Sequence, residues 1–273
     1  MAIVIHPVSI VCFGLVLFCI VTIVIIEINR ALPKKEVQQF RTEHIVLFRF
    51  CHTVTAREKR EVVARFFKLK ESLKNNVPYI QSIEYGPLAP QAGFDVAFRM
   101  VFNNETARNY YTGGYGLSLP GTYDRRHAAF KAFVAPYLRG GEGVLVFDYN
   151  TSLSVKAPAG RVDRLLFFKF RRKVKKNTIE RLFAEMGKLT SNGSPVITGL
   201  DYGWQNSREG FDKGYHAVCR IAYASFEARN HHIHMPFKIT EEGITYQAFL
   251  ALVYPYLKEG RFLVMDYKVK DTP

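Results

Sequence analysis

The sequence predicts an α+β protein in which two β-α-β-β-α-β repeats form one intramolecular pseudo-twofold α/β barrel, preceded by one N-terminal transmembrane helix. Three observations predict this. Six sequence blocks recur in the same order at one offset, each copy alternates strand-like and helix-like patterns, and residues 1–29 carry one charged side chain, Glu27. A hydrophobic content of 48% excludes a disordered chain, and four cysteines in 273 residues exclude a disulfide scaffold.

The N-terminal segment predicts a retained membrane anchor. The run from Val8 to Ile26 has 19 residues without a charge, which as a helix is long enough to cross a hydrocarbon core. A secretory signal peptide would need a basic residue before the run and a small-residue cleavage site after it, and neither is present. Basic residues follow the run instead, namely Arg30, Lys34, Lys35 and Arg41. The positive-inside rule then places the remaining chain in the cytosol, or in the mitochondrial matrix if the membrane is the mitochondrial inner membrane.

The charge is concentrated behind this anchor. The whole chain has a formal net charge of +14, and because Glu27 is the one charge in residues 1–29, the part from residue 30 onward carries +15. A basic surface of this kind suits a nucleic acid, an anionic lipid surface or an acidic protein partner.

Self-similarity defines the domains. Each pair of blocks is separated by 117 to 121 residues, which chance does not maintain over six blocks. The pairs are Glu43–Phe50 with Asp163–Phe170, Glu84–Gly86 with Asp201–Gly203, Gly93–Asp95 with Gly210–Asp212, Ala107–Tyr111 with Ala228–His232, Pro136–Leu138 with Pro255–Leu257, and Val146–Tyr149 with Val264–Tyr267. We therefore divide the chain into an anchor (1–29), a juxtamembrane linker (30–42), a first domain (43–149), a second linker (150–162) and a second domain (163–270).

Each copy has the same order of predicted elements. Thr55 and Glu58 have capping-box spacing before a helix, and Asn177 can cap the equivalent second-repeat helix. Both faces of the first strand are apolar, which predicts helices on one face and the other repeat's sheet on the other. The predicted first-repeat elements are strands at His44–Phe50, Ile80–Tyr85, Val96–Phe102 and Val144–Tyr149, and helices after Thr55, from Glu105 and over His127–Leu138. This is the ferredoxin-like unit.

These residues resemble a known family. The strand His44–Phe50, the Ile83–Gly86 segment followed by Gly93-Phe94, the His127-x-x-Phe130 block and the closing Val144–Tyr149 are similar to stress-response A/B barrel (Dabb) domains. The resemblance implies dimeric α/β barrels, which tandem members close within one chain. One plant member is a cyclase that closes a polyketide ring with two histidines, at positions that match His44 and His127. The family's His-Pro-x-His run is reduced here to Arg125-Arg126-His127, and the second repeat has Arg164 and Tyr246 at the paired positions.

Two histidine sets are candidate chemical sites. His44 and His127 could form a proton-transfer pair, in which one imidazole accepts a substrate proton and the other donates to an oxyanion. They could instead be a sheet histidine and a helix-start residue without chemistry. His231 and His234 lie three residues apart and could share a helix face as metal ligands, but no third ligand is visible. No motif indicates a cofactor.

Two segments are candidate contact surfaces. The insert Thr112–Asp124 is long and glycine-rich, and we favour contact with a partner through Tyr115 and Tyr123 over the alternative of a plain solvent loop. The basic run that follows the second repeat's first strand either contacts anionic lipid or an acidic partner, or is a solvated basic turn without a partner. Its residues are Arg171, Arg172, Lys173, Lys175 and Lys176. We do not expect it to bind RNA, because it has no stacking platform or recognised motif.

Two functions remain open from the sequence. The favoured hypothesis is a membrane-anchored structural or interaction module, acting as an accessory subunit of a larger membrane complex together with other protein subunits. The alternative is a small-molecule-binding protein or a cyclase-like enzyme that uses His44 and His127. The alternative predicts an open cleft that reaches both imidazoles.

Overall fold

A computed structural model describes residues 40–113, 122–152, 160–172, 174–191, 197–241 and 243–273, without the side chains of 189–191 and 260. The predicted transmembrane helix and three of its basic flanking residues, Arg30, Lys34 and Lys35, lie outside these residues, as do Tyr115 and Lys173. In the described part of the chain, no helix has the length and apolar character needed to cross a membrane.

The first repeat contains four main strands and three α-helices. They are β1 (Arg41–Phe48), α1 (Ala56–Lys68), β2 (Ile80–Pro87), β3 (Val96–Phe102), α2 (Glu105–Thr112), α3 (Arg125–Val134) and β4 (Val144–Thr151). The strands form an antiparallel sheet in the order β2-β3-β1-β4. A small hairpin pairs Leu73–Lys74 with Val77–Pro78.

The second repeat has the same topology. Its elements are β5 (Val162–Phe170), α4 (Lys176–Ser191), β6 (Gly199–Trp204), β7 (Ala217–Tyr223), α5 (Phe226–His234), α6 (Tyr246–Val253) and β8 (Leu257–Lys268). The sheet order is β8-β5-β7-β6. Read from the opposite edge, as β6-β7-β5-β8, it places the equivalent strands in the same order as the first sheet. A small hairpin again pairs Ile239–Thr240 with Gly243–Ile244. The α+β class with ferredoxin-like units is therefore confirmed.

Most strand ends lie within two residues of the predictions, and three starts of elements need correction or comment. The capping box of Thr55 and Glu58 is formed at the start of α1, as predicted. Strand β1 begins at Arg41, inside the segment predicted as a linker, because its pairing with β4 continues to Arg41 opposite Thr151. Helix α3 begins at Arg125, directly after its cap Asp124, and ends at Val134, where a 3₁₀ turn follows, so the predicted start at His127 was late. Helix α4 begins at Lys176, so the prediction that Asn177 is its cap was wrong.

Both sheets are buried on two sides. One face of each sheet packs against its own helices, and the other faces form a shared apolar layer between the repeats. Because side chains alternate along a strand, Val46 and Phe48 face the helices while Ile45 and Leu47 enter the shared layer. The shared layer includes Leu145, Phe147, Leu165, Phe167, Val218 and Met265.

The sheet edges are also joined between the repeats. At one edge, Tyr85 and Lys270 exchange backbone hydrogen bonds of 2.9 and 2.8 Å. At the other, the Val146 N–H donates to the Phe211 carbonyl at 3.1 Å and the Asn206 N–H donates to the Asp148 carbonyl at 2.9 Å. These bonds satisfy backbone groups that open sheet edges would leave unpaired.

A buried ionic network crosses this layer. Its carboxylates and guanidiniums occur in pairs at the repeat offset, and its members are Arg41 with Arg161, Glu43 with Asp163, Glu84 with Asp201, and Arg99 with Arg220. Arg161 connects the repeats because its guanidinium lies 2.6 Å from Glu84 and 2.8 Å from Asp163. The four positive and four negative charges balance, which is the condition for burying them.

Two glycines permit close approach of the repeats, and one yields a prediction. A Cβ atom at Gly203 would lie 2.6 Å from Cβ of Tyr149, and the equivalent Gly86 faces Tyr267 in the same way.

We expect Gly203→Ala to lower the free energy of unfolding by about 1–3 kcal/mol through overpacking. Gly187→Ala, inside α4 where a Cβ would meet Leu200 at an ordinary contact distance of 3.7 Å, should raise the free energy of unfolding by about 0.5–1 kcal/mol. Urea denaturation of both variants measures the two effects, and equal effects would contradict this packing.

Candidate functional site

The antiparallel register places His44 of β1 directly opposite Asp148 of β4. The His44 Nδ1 and the Asp148 Oδ1 lie 2.5 Å apart, and both side chains are buried. A carboxylate can only accept a hydrogen bond, so the Nδ1 of His44 carries the proton. The ring nitrogen left for other chemistry is Nε2.

Asp148 is held as a carboxylate by its neighbours. Arg108 of α2 is fully buried and donates from Nη1 to Asp148 Oδ2 and to the Asn206 carbonyl. Burial acts to raise the pKa of Asp148, but the charge and hydrogen bond of His44, then Arg108 and Ser207, outweigh it and lower that pKa below its ordinary value. The Asp148 carboxylate therefore stays charged and fixes the orientation of the His44 ring.

His127 lies in the first turn of α3, which is held by Asp124 as its cap. Its Nδ1 lies 2.8 Å from the backbone carbonyl of Tyr111. Burial, followed by the charges of His44 and Lys131, lowers the pKa of His127 to about 3, so the ring is neutral at physiological pH. Because a carbonyl only accepts, the single proton is on Nδ1, and Nε2 of His127 is a hydrogen-bond acceptor.

Tyr111 contacts both histidine rings. Its ring stacks on His127 at a centroid distance of 3.8 Å and meets His44 edge-on at 5.4 Å. Its hydroxyl is buried and has no hydrogen-bond partner among the described residues. Burial and the nearby Glu209 carboxylate raise the pKa of Tyr111 well above its ordinary value, so the hydroxyl stays a donor.

The three side chains line a cavity of about 310 Å³ between the first sheet and its helices. Most of its wall is apolar, with the rings of Phe48, Phe66, Phe130 and Phe211 and the side chains of Val46, Val134 and Val146. Its volume and its apolar lining with a few polar groups are typical of small-molecule sites. The open cleft that the alternative hypothesis predicts is present, and it reaches both His44 and His127.

The equivalent place in the second repeat has different chemistry. Arg164 replaces His44 and binds Asp266 with two hydrogen bonds of 2.7 and 2.9 Å. Its guanidinium also lies over the ring of Tyr246, which replaces His127, at 5.1 Å. Arg229, the counterpart of Arg108, contacts Asp266 at 3.2 Å. The carboxylate and its supporting arginine are thus retained, while both imidazoles are lost.

The remaining candidate residues lie apart from this cavity. His231 is exposed, and His234 is exposed with its Nδ1 2.8 Å from the Asn230 carbonyl. No group of three or more His, Cys, Asp or Glu side chains in the described ranges could hold a metal ion. Tyr123 is half-buried and lines a shallow groove with Ser72 and Tyr110.

Some of the basic residues predicted to contact lipid or a partner lie in the described part of the chain. Arg171, Arg172, Lys175 and Lys176 are exposed after β5 and at the start of α4. Arg41, predicted as a membrane-flanking residue, lies in β1 with its Nε 2.8 Å from Glu43 and its side chain 19% exposed. The roles predicted for these residues in contacting lipid or a partner stay predictions.

Five residues of the candidate site were not singled out from the sequence. Arg108 and Tyr111 lie within a repeat block, as does Asp148, so the repeat alignment contained a signal for them. Glu209 and Phe211 enter the cavity from the segment between β6 and β7 of the second repeat. No local sequence pattern indicates that these two side chains line the cavity, because their position depends on how the two repeats pack.

Comparisons with known proteins agree with the fold. Residues 42–151, which span the first repeat, match the family model of the stress responsive A/B barrel domain. The comparison with curated proteins finds no match. The family resemblance predicted from the sequence is therefore confirmed for the first repeat.

Solved structures extend the likeness over both repeats. An anthrone oxidase-like protein is 11% identical with a TM-score of 0.53, covering 85% of this chain and 92% of its own. A putative monooxygenase from Fusobacterium nucleatum is 9% identical with a TM-score of 0.46, covering 84% and 92%. A protein of Arabidopsis thaliana is 24% identical with a TM-score of 0.33, covering 39% of this chain and 93% of its own. At these identities the likeness concerns the fold alone.

Proposed function

We propose that the first repeat is a small-molecule enzyme that moves protons on a largely apolar carbonyl compound bound in its cavity. The observation that carries the proposal is the polar end of that cavity, where the His44–Asp148 pair, the neutral His127 and the unpartnered Tyr111 hydroxyl line one apolar space. Buried ionisable groups gathered in a cleft are typical of active sites.

His44 is the general base in this proposal. In the neutral ring the Nδ1–H is held by the charged Asp148, so Nε2 can accept a proton from the carbon beside the substrate carbonyl. The electron pair of the broken C–H bond moves toward the carbonyl oxygen, and the resulting imidazolium is stabilised by the Asp148 carboxylate. Returning the proton to another carbon or to the same one completes the cycle without a cofactor.

Tyr111 and His127 act on the oxygen atoms of the ligand. The Tyr111 hydroxyl stays protonated and can donate to the oxyanion that develops at the carbonyl. The Nε2 of His127 accepts a hydrogen bond and can orient a ligand hydroxyl. The cyclase of the resembled family, with histidines at the positions of His44 and His127, is an example of such chemistry.

Isotope exchange tests the proposal without knowledge of the natural substrate. The full chain in D₂O should accelerate exchange of the α-protons of acetophenone and 2-acetylnaphthalene, followed by proton NMR. His44→Gln should reduce the protein-dependent rate by about 100-fold or more, because the base is removed. His52→Gln is the control, since His52 is exposed and does not line the cavity. Equal rates with wild type and His44→Gln would refute the proposal.

The finer predictions from the sequence stay proposals beside this one. A single closed pseudo-twofold barrel is supported by the shared apolar layer and by the backbone bonds at both edges. A role as a membrane-anchored accessory subunit would depend on residues 1–39 and on the insert around Tyr115, which lie outside the described residues. Recovery of stoichiometric partners after purification in mild detergent would support that role, and a lone monomer would oppose it.

A further inference from the structure

The second repeat contributes part of the wall of the first repeat's cavity. Glu209 and Phe211, from the segment between β6 and β7, line the cavity together with Lys131 of α3. Lys131 Nζ lies 3.1 Å from Glu209 Oε1, so an ion pair links the two repeats beside the ligand space. The equivalent segment of the first repeat has Ala92 at the position of Glu209, so the carboxylate is specific to this cavity.

The Glu209 side chain is buried, and one of its two carboxylate oxygens has a partner among the described residues. The side chain is 6% exposed, while that of Lys131 is 47% exposed. The second carboxylate oxygen, Oε2, is buried without a hydrogen-bond partner among the described residues, and the same holds for the Tyr111 hydroxyl. A buried carboxylate oxygen without a donor is costly, which indicates that a donor is supplied from outside the described residues.

The chemistry of the two unpartnered atoms defines that donor. Glu209 Oε2 can only accept a hydrogen bond, whereas the Tyr111 hydroxyl can donate one. A ligand hydroxyl can satisfy Glu209 Oε2 by donating to it, which leaves the Tyr111 hydroxyl as the donor for a ligand carbonyl oxygen. A ligand cation is disfavoured, because Lys131 already neutralises the Glu209 carboxylate.

We infer that Glu209 is a ligand-binding residue that makes the first repeat's cavity select hydroxylated aromatic compounds over analogues without the hydroxyl. The aromatic preference follows from the Phe48, Phe66, Phe130 and Phe211 rings in the wall. The inference rests on the proposed function, since it assigns the substrate class of the same cavity. The second repeat thereby acts as a specificity element for the first.

Matched probe pairs test this assignment. The dissociation constants of 2-naphthol and naphthalene, and of 4-propylphenol and propylbenzene, are measured on the full chain by ligand-observed NMR. Wild type should bind the hydroxylated member of each pair about tenfold more tightly, as expected for a hydrogen bond to a charged group. Glu209→Gln should reduce this ratio to less than about threefold. Lys131→Met, which removes the cation but keeps both Glu209 carboxyl oxygens, should retain this ratio.

Two controls locate the effect. Glu185→Gln removes a carboxylate from an exposed ion pair with Lys188 and should leave the ratio unchanged. Ala135→Trp places a large ring at the exposed mouth of the cavity and should abolish binding of both probes, whereas Ala132→Trp, one turn earlier on α3 and outside the lining, should not.

The possible outcomes distinguish failure of the role of Glu209 from failure of the proposed cavity function. Binding of both probe classes with an unchanged ratio in Glu209→Gln would overturn the role of Glu209 and leave the cavity function standing. Failure of all four probes to bind wild type, or binding that persists in Ala135→Trp, would overturn the cavity function and the inference together. A ratio that also collapses in Lys131→Met would assign the selectivity to the ion pair and overturn the role of Glu209 as the acceptor.

Discussion

Replacing Arg220 by methionine should lower the free energy of unfolding by about 3–5 kcal/mol, because it leaves the buried network one positive charge short: Asp163 keeps Arg161, but Asp201 loses its nearest guanidinium. The Arg220 guanidinium lies 3.0 Å from Asp163 and also contacts Asp201, and all three side chains are fully buried. Methionine can fill part of the volume but cannot compensate the charges. Thermal and urea unfolding of the full chain measure the loss.

Arg261→Met is the matched control for this variant. Arg261 pairs with Glu259 at 2.9 Å on the surface, where its side chain is 68% exposed, and removing it should change stability by less than about 0.5 kcal/mol. Similar losses in the two variants would mean that the Arg220 network contributes no more than a surface ion pair. The buried network would then not be a main source of the protein's stability.

Replacing Asp148 by asparagine should reduce α-proton exchange by about 100-fold or more, because the His44 imidazolium loses its stabilising carboxylate. The carboxamide can also present its NH₂ to the His44 Nδ1, which would favour the wrong tautomer. Loss of the carboxylate also leaves the buried Arg108 without its charged partner, so the variant should be less stable as well. The exchange rate per folded molecule, measured well below the unfolding temperature, separates the two effects.

The second repeat offers an unusually close control. Asp266 lies at the same strand position, pairs with Arg164 and is contacted by Arg229, so Asp266→Asn removes an equivalent carboxylate from an equivalent arginine. It should destabilise the protein but leave the exchange rate per folded molecule unchanged. An equal loss of exchange in both variants would show that Asp148 acts through overall stability rather than on His44.

The sequence predicted the repeated fold for a physical reason. Each repeat must bury two sheet faces, so the alternation of apolar residues and the capping signals recur at one offset and are readable. The same alignment contained Arg108, Tyr111 and Asp148, and the change of His44 to Arg164 between the repeats indicated where the two halves diverge. These residues could have been found by asking which retained charged residues lie opposite the candidate histidines.

Other parts of the site could not be predicted in this way. The neutral state of His127 depends on burial by elements distant in sequence, and the position of Glu209 depends on packing between repeats. The helix boundaries at Lys176 and Asp124 differ from the predictions because several polar residues in each segment could act as a cap. Local sequence does not decide between such equivalent caps.

The most direct test of the account is a ¹H–¹⁵N spectrum of the histidine rings, recorded as acetophenone is added to the full chain. We expect Nε2 of His44 and of His127 to shift together with one dissociation constant, while the exposed His231 and His234 stay unchanged. Without ligand, His127 should remain neutral, with its proton on Nδ1, until the pH approaches about 3. Ring signals that do not shift when the ketone is added would contradict a ligand site between the two imidazoles. A His127 with a pKa near the ordinary value of 6.5 would contradict it as well.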